Sequence, residues 1–403
     1  MQEPTAGLDL ASEEHRLVVV DQGGSRVDER RVAHSEDGID TLVRRLHELR
    51  VARVAIEQPN GLVVDRLLAA GIAVVPVHPN QLAAARDRYR AGGGKSDGFD
   101  AYVLAELART DMHRFRLLEP DSDDTKALKA LTRAREDLVD QRIAFANQLR
   151  AQLDAFWPGA RAIFFDVDSP IALAFLERYP SPTDARGLGA KRLAGFLARN
   201  SYSGRRTPEQ LLERLRTAPE GRTGEAESEA RRQVVLALVA ALKPLVEQIK
   251  LLTSQIAGAV RAHQDGRIFL SLFRDPKSVV TAAELLAEIG DSRARHRSSA
   301  SLEAIAGQSP VAVQSGKKTV ACFRWACKNL RDAVSVLADS SRHHNPWAAD
   351  IYQRARARGH DHPHAIRILG RAWLRIIWRI WQDRTQYDTS RHGSLNRLTA
   401  AGS

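Results

Sequence analysis

Apolar and polar positions alternate with a period near two at the start of the chain and with helical spacing further on. Thr5–Leu10, His15–Asp21 and Arg26–Ala33 read as strands, and the last two are joined by Gln22-Gly23-Gly24-Ser25. A Gly-Gly turn between β-rich runs is a hairpin signal. Ser35–Leu49 reads as a helix, because Ile39, Leu42, Leu46 and Leu49 fall on one face. Val51–Ile56 and Ile72–Val77 read as further strands; Gly61–Ala70, Pro79–Tyr89 and Asp97–Arg109 read as helices. Three antiparallel strands followed by alternating helices and strands predict an α/β layered domain.

From Asp121 the period changes. Leu128, Leu131, Leu138, Phe145, Leu149 and Leu153 recur at steps of three, four or seven, and Leu238, Leu242, Leu245, Ile249, Leu252 and Ile256 repeat the theme. Two such coiled-coil-like stripes suit an antiparallel helical hairpin inside the chain or a seam between two copies. Pro244 falls inside the second stripe, where it is expected to kink the helix or mark its start. Residues 157–228 show only loop and short-helix signals. The rear reads as helical with loops at Asp291–Ser301 and Ser309–Lys318. The expected domains are 1–115 (α/β), 116–262 (long helices with an insert) and 263–403 (mostly α).

Composition narrows the class. Hydrophobic residues make up 43% of the 403, enough to build cores. No apolar run approaches the roughly 20 residues of a membrane helix. The opening MQEPTAGLDLASEEH lacks the features of a signal peptide, so a cytoplasmic protein without a membrane partner is expected. Two cysteines, Cys322 and Cys327, exclude a disulfide scaffold and have no second Cys/His pair at finger spacing. His360-Asp361-His362-Pro363-His364 holds metal-binding residue types, but its Pro and the helix that follows make it a loop and cap. The net charge of +11 is concentrated at the rear, where residues 261–403 hold 23 Lys and Arg against 12 Asp and Glu. A basic rear behind a near-neutral front predicts a polyanionic partner. Arg outnumbers Lys 50 to 10, a bias that a GC-rich genome produces by itself, so the number of arginines alone decides nothing.

The carboxylates carry the first candidate chemistry. Asp9 ends the first predicted strand and Glu57 follows the fourth; Asp97 and Asp100 begin a helix and share a face. The order of elements is that of the ribonuclease H-like fold, in which the first and fourth strands are central neighbours. The four acids are therefore expected to converge with no basic partner among them. Clustered acids repel unless cations sit between them, and oxygen-only ligands select Mg²⁺ or Mn²⁺. Such ions serve phosphodiester chemistry. Taken singly, Asp97 and Asp100 are also ordinary helix-start residues.

Gly7-Leu8-Asp9-Leu10, Ala55-Ile56-Glu57-Gln58 and Lys95-Ser96-Asp97-Gly98-Phe99-Asp100-Ala101 resemble the three acidic motifs of the DEDD transposases of the insertion sequence family numbered one hundred and ten. Val77-His78-Pro79-Asn80-Gln81 resembles the segment before the third motif. Ile305-Ala306-Gly307-Gln308-Ser309-Pro310-Val311 with Gln314-Ser315-Gly316-Lys317-Lys318 resembles the family's second signature, and Leu285–Asp291 resembles its Leu-Leu-Ala-Glu-Ile-Gly-Asp segment. Phe273-Arg274-Asp275-Pro276 departs from the usual Pro-Gly-Ile-Gly turn, and Phe323–Lys328 replaces a commoner Gly-rich basic segment.

The resemblance implies a recombinase that cuts and rejoins DNA. It implies that Asp9, Glu57, Asp97 and Asp100 hold Mg²⁺ (or Mn²⁺) and that Ser315 is the nucleophile. Lys317, Lys318, Arg324, Lys328 and Arg331 are the expected nucleic-acid contacts. It further implies a structured guide RNA from the element, a homodimer or tetramer, and association with the bacterial nucleoid. Ser309 competes with Ser315, but Pro310 beside it reads as a structural turn. The alternatives are a metal-dependent nuclease or junction resolvase using water, a sugar-kinase-like phosphotransferase, and an inactive nucleic-acid-binding relic.

Overall fold

The computed structural model describes residues 3–89, 96–219, 221–315, 318–323 and 327–391; of residues 276, 311–315 and 318–323 it describes the backbone. Two compact units divide at Pro120 and Asp121. The first is an α/β unit and the second is mostly helical.

In the first unit the strands are β1 (Thr5–Asp9), β2 (Glu14–Val20) and β3 (Arg26–Ala33), then α1 (Glu36–Glu48), β4 (Arg53–Ile56), α2 (Leu62–Ala69), β5 (Val74–Pro76), α3 (Pro79–Tyr89) and α4 (Asp97–Thr110). The sheet order is β3-β2-β1-β4-β5. β2 runs antiparallel to both β1 and β3, and β4 runs parallel to β1 and β5. The expected adjacency of the first and fourth strands is present, with β1 in the middle of the sheet.

Side-chain alternation divides this unit into two faces. Ala6, Leu8, Leu17, Val19, Val54 and Ile56 pack with Ile39, Leu42 and Leu46 of α1 and with Val63 and Leu67 of α2. The opposite face places Val18 and Val20 against Ala101 and Ala105 of α4, and Ala55 against Leu82 of α3 and Leu104 of α4. Gly7 explains how closely α4 lies on β1. A Cβ there would stand 1.9 Å from the Ala101 carbonyl oxygen and 2.5 Å from the Ala105 nitrogen. Only a residue without a side chain permits that approach.

The second unit begins with α5 (Asp123–Phe156), continues through α6 (Pro158–Ile163), α7 (Pro170–Arg178), α8 (Ala190–Arg199) and α9 (Pro208–Thr217), and returns along α10 (Glu225–Ala262). The two long helices are antiparallel. Leu149 and Leu153 near the end of α5 share a core with Val235 and Leu238 near the start of α10, whereas Leu128 shares a core with Ile256 and Val260. Both heptad-like stripes are thus used within the chain. Pro244 does not start a helix, because α10 runs through it; the proline sits on the exposed face, where a carbonyl freed by its missing N–H is open to water. The stretch 157–228 supplies α6 to α9, whose Phe175, Leu193, Phe196 and Leu211 fill the core at that end of the pair.

The rear comprises α11 (Gly266–Leu270), α12 (Val279–Ile289), α13 (Ser299–Ile305), a hairpin of β6 (Pro310–Ser315) and β7 (Lys318–Phe323), α14 (Lys328–Ser341), α15 (Pro346–Ala357) and α16 (His362–Gln382). The loop expected over Ser309–Lys318 instead contains the whole of β6 and the first residue of β7. Val311, Val313, Val320 and Phe323 are β-formers in short runs, too few to outweigh the Ser, Gly and Lys around the turn when read alone. Trp373 and Trp381 are 1% and 0% exposed, which makes them core residues and not platforms for bases. The histidine-rich segment is a cap: Asp361 accepts from the His364 N–H at 2.9 Å, and Pro363 sits in the first turn of α16.

Candidate functional site

The register of β1 on β4 pairs Leu8 with Ile56, so the next residues, Asp9 and Glu57, leave the sheet side by side. Alternation puts both on the face that carries Gly7 and Ala55, the face covered by α4. The first turn of α4 brings Asp100 to that face, where it shares Arg86 with Asp9 and Glu57; Asp97, which opens the same turn, is not joined to them. The cap of α4 is neither acid but Ser96, which accepts from the Phe99 N–H. Asp97 is exposed and Asp100 is 3% exposed.

One expectation is overturned here. The acids do have a basic partner, Arg86 of α3, which donates Nε to Asp100 Oδ1 at 2.5 Å and Nη2 to Oδ2 at 2.7 Å. A two-bond fork of this kind is the strongest geometry a carboxylate offers a guanidinium. The hydrogen bonds Arg86 donates to Asp100 raise the Arg86 pKa, and the charges of Asp100, Glu57 and Asp9 add to it. Asp9, Glu57 and Asp100 thus all act on one cation. As they stand, no three His, Cys, Asp or Glu side chains among the described residues are gathered tightly enough to hold a metal. Both oxygens of Asp100 are already occupied by Arg86.

Arg86 had a signal in the sequence that composition hid. Leu82 and Ala85 are the buried residues of α3, and position 86 is one turn after Leu82, on the inward face. In the run Arg86-Asp87-Arg88-Tyr89-Arg90 it looks like one of several solvated arginines.

Ser315 is the last residue of β6 and pairs with Lys318, the first of β7. Gly316, Lys317 and Arg324 lie outside the described residues. Beyond the hairpin, Cys327 at the start of α14 meets a buried charge. Glu288 of α12, within the apolar run Leu285–Ile289, receives Arg133 of α5 through Nε at 2.8 Å and Nη2 at 3.0 Å. It also accepts the Cys327 thiol at 3.2 Å. Burial works to raise the Glu288 pKa, but the Arg133 fork and Lys129 outweigh it and hold the carboxyl below its ordinary value. Burial and the Glu288 charge push the Cys327 thiol up, so it stays protonated and serves as a donor. One turn earlier, burial pushes Glu284 up to about 7.

Two expected nucleic-acid contacts already hold partners. Lys328 lies 3.5 Å from Glu136 and 3.8 Å from Asp140, and Arg331 lies 2.8 Å from Asp332. Asn329 adds a bond to Glu136 at 2.6 Å. These contacts tie the start of α14 to α5, in keeping with a structural share in their role. No described helix is long and apolar enough to cross a membrane.

Comparison with known proteins finds transposases. Residues 6–158 match the model of the DEDD transposases of IS110, described as transposase, and residues 278–353 match that of the transposase IS116/IS110/IS902 family. A mini-circle putative transposase for IS117 from Streptomyces coelicolor is 32% identical over 398 residues, covering 96% of this chain and 95% of that protein. The insertion element IS900 uncharacterized 42 kDa protein of Mycobacterium paratuberculosis is 28% identical, covering 95% of this chain and 96% of its own. The insertion element IS116 uncharacterized 44.8 kDa protein of Streptomyces clavuligerus is 27% identical and covers 94% of both.

Proposed function

The chain belongs to the IS110 family of insertion sequence transposases, and from that premise we propose that it joins a ribonuclease H-like carboxylate unit to a separate serine nucleophile. What supports the reading is the register that carries Asp9 and Glu57 to one sheet face, where both, with Asp100 of α4, act on Arg86. The donor set is all carboxylate oxygen, which fits Mg²⁺ or Mn²⁺. When bound, such an ion supplies Lewis acidity at a phosphodiester. Asp9, Glu57, Asp97 and Asp100 are the residues to hold it, and Asp100 must first exchange Arg86.

Ser315 is the residue to attack phosphorus. Its Oγ forms the new P–O bond as the bond to the departing strand breaks, and the proton it loses balances the one gained by the departing hydroxyl. A second strand then attacks the phosphoserine and releases the serine, so the ester's bond energy is conserved. Lys317, Lys318 and Arg324 are placed by the sequence beside the serine and the hairpin's return leg, where cations suit a phosphate. The carboxylate and serine units act together within one chain or across a homodimer or tetramer. A structured RNA guide supplies sequence choice by pairing, which leaves the protein to read backbone shape.

Two results test this reading. Protein purified from its host should carry a discrete RNA, and its site-specific recombination should be lost on RNase treatment; recombination that survives RNase removes the guide. For Arg86→Gln, leaving Asp100 buried without its partner should lower the melting temperature in EDTA by roughly 5 °C or more. Millimolar Mn²⁺ should recover more of that loss than it adds to the wild type, since a ligand that binds only the folded state stabilises it. If Mn²⁺ leaves the variant's melting unchanged, Asp100 is not a metal ligand.

A further inference from the structure

The last two long helices, α15 and α16, form a groove of about 580 Å³ that no catalytic role uses. Arg354 and Arg358 line it from α15, Arg371 and Arg375 from α16, over a floor that includes Ile351 and Ile368; no carboxylate lines it. Each pair is four residues apart, about 6 Å along the helix axis in the backbone, with Arg358 at the C-cap of α15.

These arginines differ from a merely solvated face in how they are held. Glu303 of α13 is 2% exposed, and its two oxygens accept Nε of Arg371 at 2.5 Å and Nε of Arg375 at 2.9 Å. Both arginine side chains remain accessible, at 38% and 59%. One buried carboxylate thus orients two guanidinium groups by Nε and leaves their Nη groups for an outside acceptor. A long side chain ordinarily gives up rotamer freedom when a ligand fixes it, and here much of that is given up before any ligand arrives. Arg354 is paired with half-buried Asp350 within its own helix, while Arg358 has no ion pair among the described residues. Four arginines against two carboxylates leave the groove doubly positive.

We propose that the α15–α16 groove binds the phosphodiester backbone of a nucleic acid, with Arg358, Arg371 and Arg375 as its principal contacts. Planar guanidinium groups pre-set at helical spacing match phosphate oxygens, which accept forked hydrogen bonds. The ligand chemistry is shared by RNA and DNA, and the inference rests on the transposase reading only in requiring that the chain handle nucleic acid.

The test uses the full chain with three labelled probes of mixed sequence: single-stranded RNA, single-stranded DNA and duplex DNA. Arg354→Gln with Arg358→Gln removes charge without stranding Glu303, and Arg358→Glu serves as a second variant that repels. The double variant should weaken binding about tenfold near 0.1 M salt and lower the salt slope by about one, since Arg358 is the one named contact it removes and each lost phosphate contact releases one fewer counterion. Arg358→Glu should match or exceed that loss. A defect confined to the RNA probe assigns the groove to RNA, one confined to the DNA probes assigns it to DNA, and a defect on all three marks a backbone site for either. Wild-type affinity and slope for both variants on every probe would overturn the groove and leave the transposase reading standing. Failure of the wild-type chain to bind any probe would instead overturn the reading itself.

Discussion

Asp9→Asn and Glu57→Gln should each reduce DNA cleavage by on the order of a thousandfold or more while leaving the chain folded and able to bind nucleic acid. The expectation of intact folding comes from position. Asp9 and Glu57 stand just beyond the paired register Leu8–Ile56, on side chains that are only partly buried, and the amides are nearly the same size. The loss of cleavage comes from charge, because an amide is a poor ligand for a hard divalent cation. Asp100→Asn is a worse probe, since it also removes the acceptor of the Arg86 fork and mixes stability with chemistry. Cleavage at full rate by Asp9→Asn in Mg²⁺ would remove the carboxylates from the mechanism.

The α/β unit was legible because its signals are local. Gly23-Gly24 marks the turn between β2 and β3, and Ile39, Leu42 and Leu46 give α1 a single buried face. The pairing of β1 with β4 is not local, yet strand order and alternation together place Asp9 and Glu57 on one face. What could not be read was Arg86. Its partner lies 14 residues away across residues 90–95, and a chain with 50 arginines gives no reason to single out one. Glu288 was more accessible in principle, because an acid within the run Leu285–Ile289 must find a cation. That the cation is Arg133, 155 residues away, needs the packing of α12 on α5. The stretch 157–228 gave short-helix signals without bounds for a different reason. Its helices are six to ten residues long and bury their apolar positions against one another and against the ends of α5 and α10.

The β6–β7 hairpin shows the same limit at the place that matters most. Around Ser315 the residues Gln314, Gly316, Lys317 and Lys318 read as a surface turn, whereas Gln314 and Ser315 end one strand of a paired hairpin and Lys318 begins the other. Further along, Cys327, Lys328 and Asn329 fasten the start of α14 to α12 and α5. A residue on a two-strand ribbon is better held than one on an open loop.

Ser315→Ala should therefore lose recombination by on the order of a thousandfold or more while leaving the carboxylate unit and nucleic-acid binding in place. Ser315→Cys should retain only a trace, since a thiol attacks phosphorus but leaves a different ester. Ser309→Ala should recombine normally, because Ser309 lies before the strand and Pro310 begins it. The most direct measurement is mass spectrometry of the wild-type protein from stalled reactions after exhaustive nuclease digestion. The account predicts a nucleotide remnant esterified to Ser315, absent from Ser315→Ala. A remnant on another residue, or normal cleavage by Ser315→Ala with no adduct at all, would contradict it and point to water as the attacking group.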